Sequence, residues 1–553
     1  MQQFEPDRNF RKSRQAAAIF GRRRFGIYLG GAIGGFLTSV AARAAGDRRA
    51  ILPIAISDTV RSQVNTLLRE VQPEIPETEL LVPTYLGNAQ RRFYGRGQPQ
   101  SLQQLHRFEL GSGISVVGGT ADTWSGAGWT GQPTIVRDRG RLFLTIGAYD
   151  HSLRKIDLET MQVVWRYKFD DILKGTASIY IDTTAAEDDR LVVLQGSRRG
   201  ANKSLGAAIV PSFRAISFRT GRELWRLNIH RTDSYSRDND SSAIAFTNGS
   251  SGEIFNVGEN AIGYFLSAST ARARPKNGIT QPEILREIKL YENADIARYR
   301  GNLVAESSPA VWDDRLYLSS GGGRIYGLDI ATRQIVWRFR AGGDLNGSIA
   351  ISRDGKLFAT IDREKIPGLG GAFKLDPSRP DPECVEWFMP TLDRGFGDWQ
   401  GGITASVAID DEYRSAETPP LFATSSVDGN LYIGSQLETS GTAAGPLRDR
   451  NYPKPKILAT YPIGASISTP IFTDGNRLVA AGYGGVHLFR LVFEVATAAD
   501  DAARVATGSS GTRYRLRLEL LDRVPGSFES TPVVWDGKIY LCSRDGGLYT
   551  FGQ

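Results

Sequence analysis

The chain has 553 residues and a formal net charge of +7, a length that suits several ordinary domains or one large closed β array. Its 61 glycines, 25 phenylalanines and 20 tyrosines, against 3 methionines, favour strands and tight turns over a helical bundle. Eight basic and two acidic residues give the segment 1–44 a charge of +6, which leaves +1 for the rest. Without that segment the remaining chain has almost no net positive charge, so the composition argues against binding to nucleic acid.

The first 44 residues have the three-part layout of a secretory signal. Three arginines at 22–24 precede an apolar run at 25–42, and the triplet at 42–44 supplies a small-x-small cleavage site. Paired arginines before a mildly hydrophobic run resemble a twin-arginine export signal, so we predict a periplasmic or extracellular protein. The alternative is an uncleaved anchor helix, because about 18 residues nearly span a bilayer. Five glycines in the run count against that anchor.

The segment 45–103 is predicted to hold one short helix and an extended tether. Ser57 or Asp58 can cap a helix whose apolar residues follow at helical spacing. Proline-bearing sequence follows, and we expect it to run in extended form and to clasp the domain that comes next.

From residue 104 onward a four-part unit repeats. The stretch at 306–339 reads ESSPAVWDDRLYLSSGGGRIYGLDIATRQIVWRF, and the stretch at 529–551 reads ESTPVVWDGKIYLCSRDGGLYTF. Asp-Gly turns between alternating apolar runs predict hairpins, and four short antiparallel strands make one propeller blade. Eight such units begin near Gln132, Thr176, Ser241, Ser307, Gly347, Thr404, Ser468 and Ser530. The repeat therefore predicts an all-β fold, a single eight-bladed propeller over 104–553.

The last unit stops at Gln553 after its third strand. We predict that residues 105–113, LHRFELGSG, supply the missing fourth strand and so close the ring with the other end of the domain. Closure of this kind removes the exposed sheet edges that two free ends would leave.

The sequence contains no recognisable catalytic or metal-binding motif. Cys384 and Cys542 lie far apart and are interpreted as core thiols. The four histidines stand singly, and G-x-S-x-G, H-E-x-x-H and C-x-x-C-H are all absent.

The runs DGNLYIGS, GLDIATRQIVW and STPVVWDGKIYLCSRDGGLYTF resemble the repeats of pyrroloquinoline-quinone-type (PQQ-like) propellers, over roughly residues 105–553. The resemblance implies that Trp165, Trp225, Trp337 and Trp387 pack one blade against the next. Some members are quinone-dependent dehydrogenases, and others are assembly scaffolds or exported proteins that lack the cofactor, so the fold leaves the function open. Such dehydrogenases usually carry two adjacent cysteines by the cofactor, and this chain has no Cys-Cys pair.

Candidate binding residues lie in the loops that lead into the first strand of each blade, because these loops surround one mouth of the channel. They are Asp122, Trp124, Trp129, Asp240, Glu306, Asp344, Asp398, Trp399, Gln400 and Glu529. Carboxylates with flanking tryptophans suit a cation, or a flat or sugar-like ligand. The alternative is that polar side chains satisfy backbone groups at strand ends while tryptophan caps the channel.

Glu306 and Glu529 precede matching strands in blades 4 and 8, which face each other across an eightfold ring. We therefore predict that the two carboxylates converge over the channel. Their like charges should raise the pKa of one carboxyl group or recruit a cation. Calcium is the expected cation, because all the candidate ligands are oxygen atoms. PQQ itself is implied only by the resemblance and by no specific motif.

Three functions remain open at this stage. The first is an exported, soluble, monomeric propeller that binds a small ligand or a protein partner at the funnel and is not an enzyme. The second is a PQQ-dependent dehydrogenase with calcium in the funnel. The third is an envelope assembly scaffold.

Overall fold

The computed structural model describes residue 75 and residues 77–117, 119–249 and 251–553. The predicted export signal at 1–44 and the helix predicted near Ser57 lie outside these residues. The described part of the chain consists almost entirely of strands, arranged in eight four- or five-stranded sheets and two small hairpins. The chain is an eight-bladed β-propeller, which confirms the predicted fold.

Five strands precede the first blade. They are β1 (Thr78–Val82), β2 (Gly95–Arg96), β3 (Gln104–Glu109), β4 (Ser112–Val117) and β5 (Thr120–Ser125).

Blades 1 to 4 follow in chain order. Blade 1 holds β6 (Thr134–Asp138), β7 (Arg141–Gly147), β8 (Ser152–Asp157) and β9 (Val163–Lys168). Blade 2 holds β10 (Ser178–Ile181), β11 (Leu191–Gly196), β12 (Phe213–Ser217) and β13 (Glu223–Leu227). Blade 3 holds β14 (Ile244–Asn248), β15 (Ser251–Gly258), β16 (Ile262–Ser267) and β19 (Ile284–Lys289), with an inserted hairpin of β17 (Arg274–Lys276) and β18 (Ile279–Gln281). The helix α1 (Asn293–Tyr299) leads to blade 4, which holds β20 (Ala310–Trp312), β21 (Arg315–Ser320), β22 (Arg324–Asp329) and β23 (Gln334–Arg340).

Blades 5 to 8 complete the ring. Blade 5 holds β24 (Ala350–Ile351), β25 (Leu357–Ile361), β26 (Gly371–Leu375) and β27 (Val385–Pro390). Blade 6 holds β28 (Ala408–Ile409), β29 (Leu421–Ser425), β30 (Asn430–Ala444) and β31 (Asn451–Pro462). Blade 7 holds β32 (Ile471–Thr473), β33 (Arg477–Gly482), β34 (Gly485–Val495), β35 (Val505–Thr507) and β36 (Arg513–Val524). Blade 8 begins with β37 (Val533–Trp535), β38 (Lys538–Cys542) and β39 (Gly547–Phe551).

Tight turns set the register of the blades. Asp536 and Gly537, between β37 and β38, both have positive φ, at 52° and 73°. Two such residues form the turn whose twist matches that of the flanking strands, which is why Asp-Gly marks hairpins in this sequence.

Blade 8 takes its fourth strand from the N-terminal part of the chain. Strand β3 pairs with β39 in antiparallel register, with Gln104 opposite Phe551 and Glu109 opposite Gly547. The strand ends at Glu109, short of the predicted 113, because Ser112 and Gly113 already belong to the separate β4–β5 hairpin.

The first strands begin two to four residues later than predicted. The small residues before them bond around the ring, and they form a hydroxyl belt of Thr176, Ser242, Ser308, Ser348, Ser406, Thr469 and Thr531. For example, the Ser308 amide donates to Ser348 Oγ at 2.8 Å, and the Ser348 amide donates to Ser406 Oγ at 2.9 Å. The hydroxyls thus satisfy backbone groups at strand ends, which is the alternative role considered for such residues.

An axial plug, residues 83–97, lies inside the ring on the side of the belt away from the loops that lead into the first strands. Its carbonyl groups accept hydrogen bonds from first strands; the Val311 amide donates to Ala89 O at 2.8 Å and the Ile351 amide donates to Gln90 O at 2.9 Å. The Tyr85 hydroxyl lies 2.9 Å from Thr469 Oγ1 of the belt. The segment predicted as a clasping tether therefore fills one end of the channel.

Arg91 anchors the plug and is fully buried. Its guanidinium donates to Pro309 O (2.9 Å), Ser242 O (3.1 Å) and Tyr85 O (2.7 Å), so it ties blades 3 and 4 to the plug. Burial lowers the pKa of Arg91 to about 9, which leaves the group charged at neutral pH.

Tryptophans of the outer strands reach the neighbouring blades, as the resemblance implies. Trp165 Nε1 donates to Phe218 O of blade 2 at 2.8 Å, and Trp337 Nε1 donates to Arg379 O of blade 5 at 2.8 Å. Both cysteines are buried thiols, and burial raises the pKa of Cys384 and Cys542 to about 12. They are core residues, as predicted.

We expect His487 in β34 to make the propeller acid-sensitive. The ring is buried and stacks on Phe489, and its Nδ1 has no hydrogen-bond partner. Burial, helped by the charge of Arg523, lowers the pKa of His487 to about 4. The unfolded chain then binds a proton from about pH 6.5 downward while the folded chain does not, so stability is lost as the pH falls from about 6.5 to 4.

Replacing His487 by phenylalanine should remove about 3 kcal/mol from the stability lost between pH 7 and pH 4. Urea unfolding at both pH values measures this difference, with the exposed His106→Phe as the control. Equal losses in wild type and His487→Phe would show that this ring is not responsible.

Candidate functional site

Two sets of loops define what we call the funnel face. They are the loops that lead into the first strand of each blade and the turns between second and third strands, which meet at one end because the strands are antiparallel. The β4–β5 hairpin crosses this face, where Ser115 Oγ accepts a hydrogen bond from Arg198 Nη1 at 3.1 Å. Since the plug occupies the other end of the channel, the funnel face is the open end.

One half of the funnel face carries an acidic trio, Asp240, Glu259 and Glu306. Each residue offers one carboxylate oxygen, and these oxygens lie within 4.8 Å of one another. Asp240 precedes β14, Glu259 lies in the β15–β16 turn, and Glu306 precedes β20. The Glu259 amide donates to Asp238 O at 3.0 Å, which fixes the turn against the loop before β14.

Basic side chains lie close to the charges of the trio. The Lys174 ammonium pairs with Asp240. Burial by itself lowers the pKa of Lys174, but the charges of Asp240, Glu259 and Glu306 outweigh it and raise the pKa. Burial, together with the nearby carboxylates of Asp240, Asp238 and Glu306, raises the pKa of Glu259 well above its usual range.

A second acidic group, Asp344, Asp362 and Glu364, lies on the blade 5 side of the trio and has the same 4.8 Å spacing. Asn346 joins the two groups. With its amide oriented so that the nitrogen faces the acids, Asn346 donates to Glu306 Oε2 and to Asp344 Oδ1, each at 3.1 Å. The two groups together form an acidic arc across blades 3 to 5.

The other half of the funnel face is a groove of about 820 Å³ over blades 6 to 8. Most of its lining comes from residues 394–396, 427–429, 525–529 and 543–545, all in funnel-face loops, together with Asn430 and Val524 at strand ends and with Tyr483 and Tyr549. Phe396 and Tyr483 form an aromatic pair in its wall, with ring centroids 4.8 Å apart. The groove is therefore aromatic and rich in exposed loop backbone.

Glu529 lies at the floor of this groove and is held by two partners. Tyr483 donates its hydroxyl hydrogen to Glu529, and Arg544 Nη1 lies 3.4 Å from Glu529 Oε2. The Arg544 guanidinium also lies over the rings of Trp124 and Tyr149, at 5.2 and 4.9 Å from their centroids. The charge of Glu529 is thus balanced within the protein.

The structure brings some of the predicted residues together and separates others. Glu306 and Asp344 meet through Asn346, whereas Glu529 pairs with Arg544, so a calcium ion shared by Glu306 and Glu529 stays a prediction. Among the remaining candidates, Trp124 and Trp399 are buried, Trp129 and Asp398 are half-buried and Gln400 is exposed.

Sequence reasoning missed Lys174, Glu259, Asp362, Glu364 and Arg544. Four of these lie in turns between second and third strands, which share the funnel face with the loops that were searched. Their place on that shared face is the signal that could have identified these four residues. The fifth residue, Lys174, lies in the loop before β10.

Two of the predicted tryptophans, Trp124 and Trp399, offer no open face on which a flat quinone could stack. Such a cofactor needs an aromatic face open to the funnel, but Trp124 is covered by Tyr149 and Arg544, and Trp399 stacks on Phe396 with centroids 6.3 Å apart. The trio does offer the oxygen ligands that calcium prefers, although Lys174 already places a cation on Asp240.

No protein-family profile matches the chain, and no curated protein matches its sequence. Among solved structures, BamB from Moraxella catarrhalis is similar with a TM-score of 0.45 and 13% identity, over 82% of this chain and 100% of that one. The computationally designed Ika8 protein is similar with a TM-score of 0.43 and 12% identity, over 83% of this chain and 100% of that one. Likeness at this level assigns no ligand or partner to the funnel face. Separately, no helix in the described residues is long and apolar enough to cross a membrane.

Proposed function

We propose that the chain is an exported, soluble propeller that binds a protein partner at the groove on blades 6 to 8 and performs no catalysis. The groove carries the proposal: it measures about 820 Å³ and runs from the loop at 394–396 to the turn at 543–545. An extended polypeptide segment suits a long groove of this kind, because aromatic faces receive its side chains and loop backbone can bond its main chain.

The shape of the whole ring supports the same conclusion. The plug fills one end of the channel, so a ligand can approach the channel mouth only from the funnel face. The covered tryptophans count against the PQQ-dependent dehydrogenase. An envelope assembly scaffold is one form of the proposed protein-binding function, and export rests on the sequence of residues 1–44.

A photoreactive amino acid placed in the groove tests the proposal in producing cells. At position 394, an exposed arginine at the groove, it should give one discrete cross-linked protein product. At position 314, an exposed aspartate in the β20–β21 turn of the opposite face, it should give none. The product at 394 should also disappear when Phe396→Asp is added, while far-ultraviolet circular dichroism shows that the blades remain folded.

Products of equal yield at both positions, or at neither, would contradict the proposal. So would a product at 394 that survives Phe396→Asp.

A further inference from the structure

We infer that the acidic trio of Asp240, Glu259 and Glu306 binds a cationic side chain, lysine or arginine, of the protein that docks on the funnel face. This inference rests on the proposed function and names the chemistry of the partner. Its basis is the geometry of the trio, the burial of Glu259 and the charges already present around them.

Glu259 points to a missing partner. Its side chain is 4% exposed, and its Oε1 is buried without a hydrogen bond. A buried carboxylate oxygen without a donor is costly, so such an atom at the mouth of a channel indicates a group that arrives from outside. Glu306 is only half-buried, and the trio opens to the funnel on its side.

Lys174 shows which kind of group the site accepts. Its ammonium already pairs with Asp240 beside the other two carboxylates. A second monovalent cation can pair with Glu259 and Glu306 while Lys174 keeps Asp240. A divalent metal among the same three oxygens would lie against the lysine ammonium, and their repulsion disfavours it.

Two basic side chains of the funnel face already have acidic partners. Arg198 Nε lies 2.8 Å from Asp238 Oδ2, and Arg544 is paired with Glu529. An incoming cationic side chain at the trio therefore meets the buried Glu259 Oε1, which has no hydrogen-bond donor, beside Glu306. Complementary charge of this kind selects and orients a partner more than it adds affinity.

A capped tetra-arginine peptide is the probe for this site, with its citrulline counterpart as the uncharged control. Calorimetric titration of the mature protein at low salt should show binding of the arginine peptide only. Glu259→Gln and Glu306→Gln should each weaken that binding about tenfold. The control Glu287→Gln, an exposed carboxylate on the outer strand of blade 3, should leave it unchanged.

Lys174→Met gives the sharpest result, because it should strengthen binding of the arginine peptide about tenfold by leaving Asp240 available. A variant that merely damaged the fold would weaken binding instead. Binding that is unaffected by all of these substitutions would overturn the inference. So would calcium binding that depends on Glu259 and excludes the peptide, since the trio would then be a metal site.

Proton release provides a second readout. The charged groups around Glu259 include Asp238, Asp240, Glu306, Lys174 and Arg198. A cation that arrives there favours the ionised carboxylate, so wild type should release up to about one proton on binding and Glu259→Gln should release none. Titration in two buffers of different ionisation enthalpy measures it, and equal release by both proteins would count against the inference.

The two proposals can fail separately. Loss of peptide binding with the cross-link at position 394 retained would reject the trio as a recognition site and keep the groove. A trio that binds the peptide in a protein that gives no cross-link would reject the groove instead.

Discussion

Replacing Arg91 by methionine should lower the free energy of unfolding by about 4 kcal/mol, because each buried acceptor left without a donor costs about 1–3 kcal/mol. The substitution removes the donors to Pro309 O, Ser242 O and Tyr85 O, and none of these atoms can turn to water inside the plugged channel. The relief of no longer burying a charge offsets part of the loss. Chemical denaturation of the methionine and lysine variants measures the effect. The lysine variant should recover only part of the lost stability, because lysine lacks the planar set of donors that arginine has.

Arg274→Met is the matched control. Arg274 also donates to two backbone carbonyls, those of Ala271 and Ala273, but it is exposed on the β17–β18 hairpin. Water can replace its bonds, so the change should stay within about 0.5 kcal/mol. Similar losses in the two variants would mean that the plug contributes little to the stability of the ring.

Disrupting the strand β3 should destabilise the protein by about 4 kcal/mol and cause it to associate. We would replace residues 104–109 by alternating glycine and proline, which keeps the chain length but cannot form the ladder with β39. Each lost ladder hydrogen bond contributes about 0.5–1.5 kcal/mol. The free edge of β39 then becomes a template for pairing between molecules.

Thermal melting and light scattering follow both effects. The same replacement at 201–206, a surface loop without strand pairing, is the control. A variant at 104–109 that stays monomeric and melts with the control would show that another segment closes the ring.

The repeated blades were predictable because their signals are local. A tight turn, an alternating run and, in four of the eight units, a terminal tryptophan each lie within a few residues of the structure they specify. The plug was not predictable in the same way. Arg91 bonds to Pro309, and Tyr85 bonds to Thr469. No repeat or alternating pattern in the sequence near residue 90 indicates contacts of such long range.

The sequence predicted where the candidate site residues lie, but it did not predict which of them pair with one another. Loop residues such as Glu306 and Asp344 do lie on one face, because the topology alone places them there. Their partners depend on side-chain directions that the sequence does not encode locally. Glu529 looked equivalent to Glu306 in the repeat, yet Arg544 and Tyr483 hold it, whereas Glu306 lies with Asp240 and Glu259.

Hydrogen exchange of the mature protein, alone and with the partner cross-linked at position 394, tests most directly whether the funnel face is the binding surface. We expect slower exchange in the partner complex at 394–396, 427–430 and 525–529. Exchange at 313–315 and 353–356, in turns of the opposite face, should stay the same. Protection confined to that opposite face, or absent from the groove, would contradict a protein-binding function for the funnel face.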